Sequence, residues 1–246
     1  MSLFAYGWAS NPKLLAVAGA VTVGFALLAW ALRGVSRTGA VAGGLACFAL
    51  FAAAGPGAFA ILAALFAATW ASTRLGYRRK LELGLAEQRE GRNARQVLAN
   101  LAVASVGALL FGATGNREWL VAAVAALAEA AADTVASEVG QSRGGEARLI
   151  TTGERVPAGL DGGITIVGTL AGLAAGVVIA AVAVAGGMIA VDEIWILVAA
   201  GFVGMLADSL LGATIQRRAW ISNQGVNFLA TLLAAAMAYG VMIFLR

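Results

Sequence analysis

Eight stretches of almost unbroken apolar residues make up most of this chain: residues 14–32, 38–54, 58–72, 97–114, 119–139, 164–190, 194–211 and 226–245. A bilayer core of about 30 Å takes about 20 apolar helical residues to cross, so runs of this length and number leave few folds open. With 61% hydrophobic and 12% charged residues, the chain has more apolar surface than a soluble domain of 246 residues buries. Strand-like alternation is absent, which favours helices over barrel strands. The expected fold is all-α: a polytopic transmembrane bundle, one integral membrane domain over residues 1–246, with about eight helices and seven possible. The second and third runs are short, and Gly55-Pro56-Gly57 between them suits a tight hairpin. The long sixth run contains Gly186-Gly187, where it is expected to tilt or break. The first run follows only Lys13 and shows no convincing cleavage site, so it reads as a membrane helix and not a signal peptide.

Basic residues give the orientation. Of the 17 Lys and Arg, 14 fall between the first and second, third and fourth, fifth and sixth, and seventh and eighth runs. The opposite ends hold only Lys13, Arg117 and Arg246. The positive-inside rule then makes residues 73–95 and 140–163 cytoplasmic loops and both termini extracytoplasmic. Trp8, Trp30, Trp70, Trp119, Trp195 and Trp220 sit near the ends of the runs, as interfacial belts do. In the loop 73–95, leucines interleaved with charges suggest helix extensions or an interfacial helix, set against a solvated connector that only fixes topology. The expected location is the plasma membrane of a prokaryote. No nucleic-acid motif is present, and a homo-oligomer is possible.

Acids interrupt this pattern. Glu129, Asp133, Glu138 and Asp208 lie inside or at the ends of apolar runs. Each costs about 2.5–3.5 kcal/mol at a bilayer centre, so such groups face a protein interior or a watery cavity. Glu129, Asp133 and Ser137 are four apart and share a helix face. Thr134 and Glu138 form a second stripe about 100° away, so Asp133 and Glu138 meet one ligand only if the helix unwinds near Gly140 or the ligand is broad. Asp208 and Ser209 close the seventh run at the same expected depth, where Asn100 enters the fourth run and Asn223 and Asn227 open the eighth. For the hydroxyls, interhelical hydrogen bonding is an equally good account. Gly168, Gly172 and Gly176 read as a helix-packing stripe.

The chain has no histidine, and its single Cys47 excludes an internal disulfide. Carboxylates without histidine suit Mg²⁺, an oxygen-seeking ion that bridges proteins to phosphates; Asp133, Glu138 and Asp208 are the candidate ligands and catalytic groups. The loop after the fifth run carries Arg148, Thr151, Thr152 and Arg155, then Gly162, Gly163 and Thr165 at the next helix start. Arginine forks and backbone N–H groups at a helix N-terminus both bind phosphate, so this loop is expected to fold over a nucleotide while the asparagines orient phosphates. Phosphoryl transfer needs positioning and charge neutralisation more than a special nucleophile. A membrane setting implies a lipid co-substrate.

The string Ala132-Asp133-Thr134-Val135-Ala136-Ser137-Glu138-Val139-Gly140, with Arg148-Leu149-Ile150-Thr151-Thr152-Gly153, Gly162-Gly163-Ile164-Thr165, Asp208-Ser209-Leu210-Leu211-Gly212-Ala213 and Asn223…Asn227, resembles the integral membrane family of plant phytyl-phosphate kinase and animal transmembrane protein 19. Arg92-Asn93-Ala94-Arg95-Gln96 through Asn100 fits the same pattern. The resemblance implies a nucleotide-dependent kinase, CTP favoured, that converts a prenyl monophosphate such as phytyl or geranylgeranyl phosphate to the diphosphate at the cytoplasmic face. Two alternatives stand beside it. One is a cytidylyltransferase making a CDP-lipid. The other is a non-enzymatic transporter, in which the acids would be ion sites and polar residues would run through the full membrane depth.

Overall fold

The computed structural model describes residues 11–87, 89–143 and 145–245; Trp8 and Arg246, read above as membrane-end residues, lie outside them. In chain order come α1 (Pro12–Ala31), α2 (Arg37–Ala54), α3 (Pro56–Arg74), the short α4 (Tyr77–Glu82), α5 (Ala94–Thr114) and α6 (Arg117–Arg143). After α6 follow β1 (Ala147–Leu149), β2 (Arg155–Val156) and β3 (Gly163–Ile164), then α7 (Ile166–Ala185), α8 (Ile194–Leu211) and α9 (Asn223–Phe244). Among the described residues all of the helices but α4 are long and apolar enough to cross a membrane, which makes eight. The second and third runs are therefore two full spans, α2 and α3, joined at Gly55, whose φ of 84° suits glycine. As expected, the sixth run stops at Gly186-Gly187, where Gly187 has φ 67°.

One helix organises the rest. α6 has 78% of its apolar window buried, against 17–44% for the other spans. At 27 residues it runs about 40 Å, longer than the hydrocarbon core is thick. Its face of alanines lets neighbours approach to backbone contact. A Cβ at Gly168 of α7 would lie 2.6 Å from the Ala136 carbonyl oxygen, and one at Gly172 would lie 2.7 Å from that of Ala132. The glycine stripe thus packs as expected at two of its three positions, whereas Gly176 has open space around it. α8 uses glycine in the same way, since a Cβ at Gly204 would meet the Glu129 side chain at 2.5 Å.

Two loops between spans carry structure of their own. In residues 75–87 a short helix, α4, stands where the sequence sets helix extensions or an interfacial helix against a solvated connector, and Lys80 on it is fully buried. Residues 145–165 hold a three-stranded antiparallel sheet in the order β2-β1-β3, a departure from an all-α chain. Strands of two and three residues are too short to show any period in the sequence.

Candidate active site

The end of the bundle where the basic loops gather contains a polar cavity of about 370 Å³. α6 brings Asp133, Thr134, Ser137 and Glu138 to its wall, α8 brings Asp208 and Ser209, and α5 brings Asn100. Asn223 and Asn227 come from the start of α9, and Gly162, Gly163 and Thr165 from the approach to α7. Eleven of the fifteen residues named from the sequence therefore line one cavity: Asn100, Asp133, Thr134, Glu138, Gly162, Gly163, Thr165, Asp208, Ser209, Asn223 and Asn227. α6 stays helical through Gly140 to Arg143, so Asp133 and Glu138 meet in one cavity because it is broad, not because the helix unwinds.

The local fold fixes these side chains. Thr165 caps α7, its Oγ1 accepting from the Gly168 N–H at 3.0 Å. Ser222 caps α9 and so places Asn223 in its first turn. Beyond Asp208 the chain widens into a π-helical turn over Gly212–Gln216, and Gly162 sits against it. A Cβ on Gly162 would lie 2.6 Å from the Ala213 nitrogen, and its φ is 78°, so two separate constraints demand glycine there.

The electrostatics are unusual for a phosphate site. The cavity lining holds five carboxylates (Glu87, Asp133, Glu138, Asp161 and Asp208), and Arg92 is the sole Lys or Arg among the described lining residues. Glu138 is already compensated: Lys80 Nζ donates to its Oε2, Thr73 Oγ1 donates to Oε1 at 3.0 Å, and the Arg92 guanidinium lies 4.0 Å away. The same ammonium donates to the carbonyl oxygens of Ser72 and Thr73 at the end of α3, where the helix dipole favours a cation. Asp208 is different. Its Oδ2 is buried and without a hydrogen-bond partner, as is Oε1 of Glu129 one turn deeper than Asp133 on α6. Asp133 and Asp161 line the same cavity.

Uncompensated acids at this depth call for a cation. The donors are all oxygen, which suits Mg²⁺. Among the described residues no three acids form a ready-made metal cage. Mg²⁺ characteristically uses one or two carboxylates and completes its shell with water and substrate phosphate, so Asp133 and Asp208 are the pair that would hold it. Glu138, held by Lys80, is the weaker candidate ligand.

The family matched by the chain is described as "Integral membrane protein DUF92", over residues 20–235. The chain belongs to this family. That is the family resembled by its α6, loop and α8 motifs. It is 36% identical to an uncharacterized membrane protein of Synechocystis over 197 residues, 78% of this chain and 76% of that one. It is 32% identical to the chloroplastic protein VTE6 of Arabidopsis thaliana over 216 residues, 84% of this chain but 65% of that protein. An uncharacterized membrane protein of Methanocaldococcus jannaschii is 37% identical over 157 residues, 62% of this chain and 63% of that protein. No solved structure matches the chain.

Within this family fold, the arginine loop departs from expectation. Arg148, Thr151, Thr152 and Arg155 do not line the cavity. In β1, Ala147 and Leu149 are buried, so strand alternation turns Arg148 to the opposite face. Arg155 pairs with Arg148 across the ladder and shares that outward face. Both guanidiniums bind Glu146, at 3.9 Å and 2.6 Å, and their side chains are 55% and 69% exposed. Thr151 and Thr152 form the exposed tip of the β1–β2 turn. What the loop gives the cavity instead is Asp161 and the Gly162-Gly163 backbone. Lys80, Arg92 and Asp161 are the residues the sequence reading did not assign; Arg92 lies within a motif it had singled out, and Asp161 immediately precedes one.

Proposed function

We propose that this chain is a membrane-embedded prenyl-phosphate kinase. It transfers the terminal phosphoryl group of a nucleoside triphosphate, CTP favoured, to a prenyl monophosphate such as phytyl or geranylgeranyl phosphate. The plasma membrane of a prokaryote and a cytoplasm-facing site fit the basic loops at the cavity's end. The observation that carries the reading is the acid-lined cavity beside a single arginine, deep enough in the bundle for a lipid phosphate to reach. A polyanion entering such a cavity needs a divalent cation to neutralise it, and Asp133 and Asp208 would hold Mg²⁺ there. When bound, Mg²⁺ supplies charge neutralisation of the nucleotide phosphates.

The chain's own residues then have positioning work. Asn100, Asn223 and Asn227 converge from α5 and α9 as neutral donors for phosphate oxygens. Arg92 neutralises charge on the acceptor side. An oxygen of the prenyl phosphate attacks the terminal phosphorus, the bond from that phosphorus to the bridging oxygen breaks, and the nucleoside diphosphate leaves. A phosphate monoester has its second pKa near 6, so the attacking oxygen is already free of its proton at neutral pH and no general base is required. A chain without histidine is equal to that task. The transporter reading loses ground because α6, the most buried span, is apolar from Leu120 to Ala128.

The test is incubation of the purified protein with Mg²⁺, a panel of nucleoside triphosphates and prenyl monophosphates, followed by mass spectrometry. CTP labelled at the γ phosphate should yield labelled prenyl diphosphate. Label from the α phosphate in the lipid would make the protein a cytidylyltransferase. Asp133→Asn and Asp208→Asn should each lower turnover on the order of 10²–10³-fold, the scale for losing one preorganised electrostatic group. No product with any nucleotide would end the kinase reading.

A further inference from the structure

We infer that a second, larger cavity of the bundle is the acceptor site, taking a single-chain prenyl monophosphate with its tail between α1, α2, α3 and α5 and its phosphate against Arg92. The substrate class rests on the kinase reading; the location is argued from the structure. This cavity holds about 550 Å³, within the range of about 300–1,000 Å³ common to ligand pockets. Phe25 of α1, Leu62 and Phe66 of α3 and Leu101 of α5 wall it, and Arg33, Arg74 and Arg92 stand at its polar end. An apolar body under a cluster of guanidiniums is the complement of a lipid phosphate.

The two cavities are continuous in their walls. Glu87, Arg92, Gln96, Asn100 and Thr134 line both. Arg92 is fixed between them by its backbone: the Ser36 N–H donates to its carbonyl oxygen at 3.0 Å, and its own N–H donates to that of Gly34 at 3.2 Å. Its guanidinium is only loosely engaged, 3.8 Å from Glu87 and 4.0 Å from Glu138, so it is free to turn a two-pronged fork to a phosphate. A phosphate held there lies at the border of the acid-lined cavity, and transfer requires no charge to cross lipid. The tail has a way in. α1 is the least buried span, and its one extensive packing partner among the described elements is α2. It touches α3 through Phe25, whose ring meets those of Phe59 and Phe66 edge-on at 5.3 and 5.4 Å.

Phosphatidate shares the chemistry of a phosphate on an apolar body but brings two chains, so the test separates the two lipids. The full chain in phosphatidylcholine nanodiscs is exposed, without nucleotide, to geranylgeranyl monophosphate carrying a diazirine in its tail. Photolabelling should fall on α1, α3 and α5, at or beside Phe25, Leu62, Phe66 and Leu101. Gly43 lines the cavity and has room for a first carbon, the nearest atom being 3.7 Å away on Val97. Gly43→Leu should therefore fill the cavity and weaken binding by at least about tenfold, with Gly240→Leu, in open space on α9, as the matched control. Labelling confined to α7–α9, wild-type affinity in Gly43→Leu, or equal displacement by phosphatidate would overturn the inference. If Gly43→Leu does not fold, the labelling map of the unaltered protein decides. Binding in this cavity without nucleotide-dependent product would defeat the kinase reading alone; product formation with labelling elsewhere would defeat the acceptor site alone.

Discussion

Two basic loops lie at the same end of this bundle, and the structure uses them in opposite ways. Residues 146–165 carry the Arg, Thr and Gly mixture that suggests phosphate binding, yet Arg148 and Arg155 point outward and share Glu146. Residues 75–93 look like a topology-setting connector, yet they bury Lys80 under Glu138 and deliver Arg92 to the junction of two cavities. Both loops carry arginines; their tethering differs. Arg92 is held by backbone pairing to residues 34–36, and Lys80 by three acceptors on α3 and α6. A cation becomes functional when its backbone is anchored beside a site, and remains solvated when a strand turns it away.

The sharpest way to break the comparison is Arg92→Gln. It removes the sole guanidinium among the described lining residues of the acid-lined cavity without changing any cap or strand. Turnover should fall on the order of 10²–10³-fold, mainly through acceptor binding and charge neutralisation. Steady-state kinetics with prenyl phosphate and nucleotide varied separately should show the acceptor KM rising more than the nucleotide KM. An unchanged kcat/KM for the acceptor would show that this loop, too, only sets topology.

Next in size is Lys80→Met. Leaving a largely buried carboxylate without its partner costs about 3–5 kcal/mol, and Glu138 would be left with Thr73 and a distant Arg92. Thermal unfolding in detergent should show a clear fall in midpoint. Lys80→Met with Glu138→Gln removes both charges, keeps an acceptor for the Thr73 hydroxyl and should regain much of the loss. A double variant no more stable than the single would mean that Lys80 acts through its packing and not its charge.

How far the sequence foresaw this molecule follows from the same contrast. The spans were legible because each is 15 or more residues of nearly uniform apolarity, and all but the third reach the length range of the bilayer criterion. The acids of α6 and α8 were legible because a carboxylate in such a run stands out by its cost. Lys80 and Arg92 were hidden because a cation in a cytoplasmic loop already has an explanation in the positive-inside rule. Arg148 and Arg155 misled because the three-residue β1 leaves no alternation to read, and alternation is what turns them outward. Asp161 sat in plain view beside Gly162-Gly163, but it reaches the cavity only because Gly162 packs against Ala213, a contact between residues 51 positions apart.

That contact gives a test of intermediate size. Gly162→Ala puts a Cβ into Ala213 and asks an alanine for φ 78°. Strain of this kind costs about 1–3 kcal/mol. Relieving it would move the β3 segment and Asp161 off the π-helical turn after Asp208. Turnover should drop several-fold while the thermal midpoint falls less than in Lys80→Met. An alanine variant with wild-type kinetics would show that the seal between this loop and α8 is dispensable.

The smallest effect should come from the arginines that look most functional. Arg148 Nη1 donates to the Gly153 carbonyl oxygen at 2.8 Å, which steadies a turn, and its other contact is the exposed Glu146. Exposed ion pairs of this sort contribute about 0–1 kcal/mol. Arg148→Lys keeps the charge and loses the fork, a change that would be severe at a bound phosphate. Here it should alter kcat and both KM values by less than about twofold, since 0.4 kcal/mol is the corresponding scale and lies inside the surface range. Arg155→Ala should behave alike, because its partner is the same Glu146. A tenfold rise in nucleotide KM for Arg148→Lys would mean that the β1–β2 turn swings over the cavity when nucleotide binds. It would restore to this loop the phosphate role that its outward-facing strand denies it.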